Sequence, residues 1–226
     1  YQMFQKFVRQ FSKLPENKSV FDNKAPECFL YFNSNRINEL DSVLVDVGVC
    51  NGDSIYHYTK KNSNKFDQII GFEPDLKNYN TLINKYHSDK RIKILNYAAW
   101  DKEQDLEFAS FGSGMSHVLD SDVNETDFGD SEAASALIQG IPIDNLNIKN
   151  RRGIIQVDVE GAEHRVISGM RKTLLNNRFE LIVSCYHKKF DIVDLILQIN
   201  EINSDYTFGL ELLSDGLLEL NIFATL

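Results

Sequence analysis

Basic residues are in the minority in this chain: 24 Lys and Arg stand against 33 Asp and Glu, a formal net charge of −9. A surface of that sign is poorly suited to gripping a phosphate backbone, so nucleic acid is not expected as a partner. Cysteine is scarce as well. Cys28, Cys50 and Cys185 are the three in 226 residues, and they make neither a disulfide framework nor a paired metal motif. A reducing, cytoplasmic location is the expectation. No apolar run is long enough to cross a bilayer and no signal-peptide pattern is visible, so no membrane span is expected; the sequence opens on Tyr1 rather than Met. Internal repeats and low-complexity tracts are absent. Two nucleotide signatures are missing too: there is no Walker lysine, which argues against an NTPase, and no G-x-G-x-x-G.

What is present is an ordinary globular composition, 42% hydrophobic and 25% charged, at a length that suits one domain with a small appendage. Residues 1–40 read as an N-terminal helical extension. Phe4, Phe7, Val8, Phe11 and Leu14 fall at helical spacing, residues 15–26 read as a loop, and a short helix is expected at 32–40. The first helix packs on its own domain or makes a homodimer contact. Residues 41–226 form the main domain. Strands are expected at 42–47, 68–73, 91–98, 104–111, 154–159 and 181–186, with helices marked by Ile55 to Lys61, by Leu76, Tyr79, Leu82, Ile83 and Tyr86, by Val166, Ile167, Met170 and Leu174, and by Ile192, Val193, Ile196 and Ile199. Such alternation builds a parallel sheet covered on both faces by helices. Two last strands, near 208–213 and 218–224, are joined by a short turn at Asp215-Gly216, and so brief a connection requires antiparallel pairing. Residues 112–136 show no clear period and read as a long loop of the kind that is functional or disordered.

In an open sheet of this type ligands lie beyond the carboxyl ends of the strands, so the residues just after each strand hold the chemistry. After the first come Asp46, Gly48 and Gly52 in "VLVDVGVCNG"; the glycines allow a tight turn and a close approach to a ligand, and Asp53 or Ser54 is placed to cap the next helix. After the second comes Glu73 in "GFEPD", an acid able to accept both hydroxyls of a ribose. Small Ala98 and Ala99 leave room for an adenine, with Trp100 or Asp101 at its edge. The fourth strand end, "VDVEGAE", crowds Asp158, Glu160 and Glu163 at the start of a helix, with Gly161 permitting close approach. The fifth ends in "SCYHKK", where His187 is placed as a general base.

These residues carry a resemblance. "VLVDVGVCNGDS", "IIGFEPD", "ILNYAAWD", "IPIDNL", "IIQVDVEGAEHRVISG" and "IVSCYHK" make the chain, from about Val43 to its end, similar to the FkbM-type S-adenosylmethionine-dependent methyltransferases, with "DVEGAE" the most specific of the six. The resemblance implies a Rossmann-like class I methyltransferase fold, α/β, with a seven-stranded mostly parallel sheet whose last strand is antiparallel. It implies S-adenosyl-L-methionine as cofactor and O-methylation of a hydroxyl on a sugar, glycan or secondary metabolite. Carried onto this sequence, the cofactor set is Asp46, Gly48, Asn51, Gly52, Asp53, Ser54, Glu73, Pro74, Ala98, Ala99, Trp100 and Asp158. Asp158 and His187 are the candidate bases, with Glu160 orienting the acceptor; Glu160, Ser116 and Tyr186 are the candidate substrate contacts. The sequence departs from the family's usual pattern at Cys50 and in "SFGSGMSHV".

A divalent ion between Asp158, Glu160 and His187 is the alternative use of those side chains, and no metal is expected. "DVEG" replaces the "NPPY" type of segment found in many N-methyltransferases after the fourth strand, which argues against nucleobase methylation. Two other classes remain open at this point: a nicotinamide-dependent oxidoreductase, disfavoured by the glycine spacing, and a non-catalytic nucleoside-binding module.

Overall fold

The structure is a computed structural model that describes residues 42–111, 116–119, 134–212 and 220–226. The N-terminal extension, Cys28 and most of the expected 112–136 loop lie outside the described residues.

β1 (Ser42–Val47) begins the domain, followed by α1 (Asp53–Lys61), β2 (Gln68–Phe72), α2 (Leu76–Tyr86) and β3 (Ile92–Leu95). Four strands of a second sheet come next: β4 (Ala98–Ala99), β5 (Gln104–Ser110), β6 (His117–Val118) and β7 (Ala134–Ile141). A 3-10 turn (Ile143–Leu146) leads back to β8 (Arg152–Val157), α3 (Glu163–Ser168), α4 (Arg171–Asn176), β9 (Arg178–Ser184), α5 (Asp191–Ile202), β10 (Thr207–Leu212) and β11 (Leu220–Thr225).

The main sheet has seven strands in the order β3-β2-β1-β8-β9-β11-β10. β1 pairs in parallel with both β2 and β8, and β11 runs antiparallel to both β9 and β10. Strand β1 shows why the sheet needs two covers. Val43, Val45 and Val47 enter one core with Val166, Ile167, Leu174, Leu195 and Ile199 from the helices of one face; Leu44 enters the other with Ile55, Tyr58 and Leu82 from α1 and α2. Each fully buried aliphatic side chain of this kind contributes about 1.5–3 kcal/mol relative to exposure.

Three expectations are corrected here. The stretch 91–98 is not one strand: β3 ends at Leu95, and Asn96 turns its amide onto the carbonyl oxygens of Glu73 and Pro74 at 2.9 and 3.0 Å. Ala98 and Ala99 then join the second sheet, β4-β7-β5-β6, by pairing with Gly140 and Ile141. A strand also occupies 134–141, where none was expected. Finally, the helix from Val166 to Leu174 is two helices that break at Gly169.

The break is enforced by packing. A Cβ on Gly169 would stand 1.8 Å from the carbonyl oxygen of Trp100, a contact between main chains that no rotamer change relieves. Gly169→Ala is expected to cost about 3 kcal/mol or more of stability, since overpacking against a backbone has no cheap relaxation. A urea melt checks this; a loss under about 1 kcal/mol would show that α3 and the Trp100 segment are free to separate.

Candidate functional site

The carboxyl ends of β1, β2 and β8 open into a cleft of about 540 Å³. Its other wall is the second sheet. Gly48, Glu73, Asp158 and Glu160 line it from the main-sheet side, and Ala98, Phe108, His117 and Val118 from the small sheet, with Trp100 and Ser116 directly beside its strands.

The first turn is closed by backbone bonds: the amides of Gly48 and Val49 donate to the carbonyl of Phe72 at 3.1 and 3.3 Å. Gly48 has φ +90°, and a Cβ there would lie 1.9 Å from the carbonyl oxygen of Asp158. The tips of β1 and β8 thus touch through a position with no side chain. Asp46 sits beneath this turn, 1% exposed, and accepts the hydroxyl of Ser54. Burial raises its carboxyl to about 6, which the Ser54 hydrogen bond partly offsets. Ser54 therefore does not cap α1. Gly52, in the left-handed region at φ +82°, occupies the N-cap position, and Asp53 is the first helical residue.

Glu73, 4% exposed, is held at both oxygens: Oε2 accepts the Cys50 amide at 2.7 Å and Oε1 the Asp75 amide at 2.9 Å. Burial pushes its carboxyl up to about 7, with the two amide bonds working in the opposite direction. Asp75 caps α2, its Oδ1 accepting the amides of Lys77 and Asn78.

The turn after β8 is more tightly wound. Glu160 and Gly161 both have positive φ, 54° and 99°. Glu163, fully buried at the start of α3, turns Oε1 back onto the amides of Val159 and Gly161 at 3.2 and 3.3 Å. That same oxygen faces His187 Nδ1 at 2.9 Å. The other ring nitrogen, Nε2, lies 3.3 Å from Glu160 Oε2 and 3.7 Å from Asp158 Oδ1. Burial alone would lower the imidazole, but the bonds to Glu160 and Glu163 and the charge of Asp158 outweigh it and raise the group to about 10. These carboxylates favour the protonated form of His187, which weighs against the general-base role expected for it and towards one of positioning. Asp158 is raised to about 7, chiefly by burial, with the His187 charge pulling the other way. Its Oδ1 is buried and has no hydrogen-bond partner.

Among the described residues, Asp158, Glu163 and His187 form the group whose donor atoms, all within 4.8 Å of one another, could hold a metal ion. Glu163 takes the place that Glu160 had in the sequence reading. Both ring nitrogens of His187 face carboxylates, Nδ1 that of Glu163 at 2.9 Å and Nε2 that of Glu160 at 3.3 Å.

The cofactor residues expected from sequence divide into two groups. Gly48, Glu73, Pro74, Ala98, Ala99, Trp100 and Asp158 line the cleft, as do the expected acceptor contacts Glu160 and Ser116. Asp46, Asn51, Gly52, Asp53, Ser54, Tyr186 and His187 are not among its lining residues. Asn51 and Asp53 bond to each other on the outside of the turn, and Tyr186 packs its ring 4.0 Å from that of His187. Sequence reasoning missed Cys50, Asn78, Phe108, His117 and Val118 on the cleft walls. The "SFGSGMSHV" stretch was the available signal for the last two.

A sheet ordered β3-β2-β1-β8-β9-β11-β10, with β11 reversed and a cleft at the carboxyl ends of its central strands, is the class I methyltransferase fold. The family model described as Methyltransferase FkbM domain matches residues 46–208. The chain belongs to the FkbM methyltransferase family. The crystal structure of Methyltransferase FkbM from Methylobacillus flagellatus KT is similar to it with a TM-score of 0.69 and 24% identity, over 89% of this chain and 48% of that one; the chain thus spans about half of that protein's length. Fibrillarin from Aeropyrum pernix, in complex with natively bound S-adenosyl-L-methionine, gives a TM-score of 0.48 and 10% identity over 84% of this chain and 68% of that one. Among curated proteins none matches the chain.

Proposed function

We propose that the chain binds S-adenosyl-L-methionine in this cleft and methylates a hydroxyl of a sugar, glycan or secondary metabolite. The observation that supports this reading most is that Gly48, Glu73, Asp158 and Glu160, from three strand ends, share one cavity. The donor set fits the cofactor. Glu73 is a hydroxyl acceptor placed for a ribose, Gly48 gives the main chain close access, and the carboxylates near Asp158 suit a cation. Asp158 Oδ1, buried without a hydrogen-bond partner, is a group that a ligand would satisfy. When bound, the cofactor supplies a methyl group on a positively charged sulfur.

Ala98 and Ala99 leave space for the base beside Trp100. A hydroxyl is a poor nucleophile until it loses its proton, and Asp158 is the group placed to receive that proton. Its carboxyl, held near 7, is matched to proton transfer at neutral pH. Glu160 orients the acceptor from the adjoining position on the cleft wall. His187 acts behind them as a positioning residue, its two ring nitrogens tying Glu163 to Glu160. Among the described residues Cys50 and Cys185 are free thiols. Among the described residues no helix is long and apolar enough to cross a membrane.

The reading is tested with cofactor carrying a labelled methyl group and a panel of sugars, glycans and hydroxylated metabolites. Transfer to oxygen is expected, and Asp158→Asn is expected to slow it by about 10²–10⁴-fold, the usual contribution of a positioned base. Transfer at the wild-type rate by folded Asp158→Asn protein would remove Asp158 from the role.

A further inference from the structure

A buried carboxylate joins the small sheet to the turn that carries Glu73. Asp75 is 1% exposed. Its Oδ1 caps α2, while its Oδ2 accepts the hydroxyl of Ser110, at the end of β5, at 2.5 Å and that of Ser116, beside β6, at 3.2 Å. Its amide donates to Oε1 of Glu73. Ser116 Oγ also accepts the amide of Phe111 at 2.9 Å, so this hydroxyl is committed to the wall itself. Four elements, the end of β2, the start of α2, β5 and β6, therefore meet at a single side chain. Nothing in the helix-capping role requires the two serines; they are 35 and 41 residues away in sequence.

We propose that Asp75 is a positioning residue that latches the wall formed by Phe108, His117 and Val118 to the Glu73 turn, so that cofactor binding at Glu73 orders the surface against which the acceptor is held. Ser116 then belongs to the latch rather than to the substrate contacts. Hydrogen bonds onto a carboxylate are short and strong and fix their donors better than neutral ones. A ligand that immobilises Glu73 immobilises the Asp75 amide with it, and through Oδ2 the small sheet. This inference rests on the cofactor reading given above.

Amide hydrogen exchange with and without S-adenosylhomocysteine tests it. In the wild type the ligand is expected to slow exchange in 104–110 and 117–118 by about tenfold, on the scale of one charged hydrogen bond. In Ser110→Ala/Ser116→Ala, at saturating ligand, the 46–52 turn should still be protected, while the effect on the small sheet is lost. Ser110→Thr/Ser116→Thr restores the hydroxyls and should restore the response. Should the alanine pair fold poorly, Asp75→Asn serves instead, since asparagine caps a helix as well as aspartate does but removes the charge. Binding that leaves the wild-type small sheet unchanged, or protects it equally in the alanine pair, overturns the latch alone. Failure of the wild type to bind the ligand overturns the cofactor reading and the latch with it.

Discussion

Glu73→Ala is expected to weaken S-adenosylmethionine binding by at least about a hundredfold, because hydrogen bonds to a charged acceptor are worth about 1.5–3 kcal/mol each and a ribose offers two. Glu73→Gln should not rescue it. Both carboxylate oxygens of Glu73 receive backbone amides, from Cys50 and Asp75, and an NH₂ group would face one of these donors. The wild-type affinity should also depend on pH in a defined direction. Burial holds the free carboxyl at about 7, and the ionised form is the better acceptor for hydroxyls. Below pH 7 binding must expel a proton, so affinity falls by up to about tenfold per pH unit; above 7 it levels off.

The same shift has an opposite consequence for the unliganded fold. A carboxyl raised from 4.5 to about 7 holds its proton more tightly folded than unfolded. Its contribution is fully present below the unfolded value and is lost as pH rises through the folded one, so between about 4.5 and 7 this group lowers stability as pH rises. Calorimetric titrations across this range, in the wild type and in Glu73→Ala, check the binding side. An affinity independent of pH in the wild type would mean that Glu73 does not contact the ligand or that its carboxyl is already ionised in the free protein across this range.

Gly48→Ala is the second large effect. The position lies at φ +90°, where an L side chain is strained, and the added methyl would fall 1.9 Å from the Asp158 carbonyl oxygen. Neither β1 nor β8 can retreat, because each is paired on both sides within the seven-stranded sheet. A loss of about 3–4 kcal/mol is expected, which lowers the melting temperature by about 10 °C in a chain of this size. Any folded fraction should bind the cofactor poorly, since the tips of β1 and β8 must splay apart. A variant with wild-type melting and binding would show that the turn is slack and that the cleft does not depend on the contact between the two tips.

Much of the main sheet was legible because strands buried on both faces read as continuous apolar runs. "SVLVDV" is buried along its whole length, and its successors stand at regular intervals with helices between. Of the small sheet only β5 was legible, from the alternation at 104–111; the rest was not, for the same physical reason in reverse. β7, "ASALIQGI", leaves most of its side chains in solvent, Leu137 among them at 71% exposure, and β4 is two residues long. β4 is buried but too short to show a pattern, β7 has no continuous buried face that patterning could detect, and their pairing joins segments far apart in sequence. The strand ends were correctly located as the place where acids gather, because chain order alone puts Gly48, Glu73 and Asp158 there. What each acid touches was not legible. The pairing of His187 with Glu163 spans 24 residues, and no local pattern in the sequence announces it.

The central claim is that this cleft holds a sulfonium nucleoside against Glu73 and the Asp158 turn. Calorimetric titration of the wild-type chain with S-adenosyl-L-methionine, repeated with Glu73→Ala and with NADH as competitor, tests it most directly. The account predicts saturable binding of one molecule per chain, displaced by S-adenosylhomocysteine, untouched by NADH and strongly weakened in the variant. Folded wild-type protein that binds no S-adenosyl-L-methionine, or that loses it to NADH, would contradict the account.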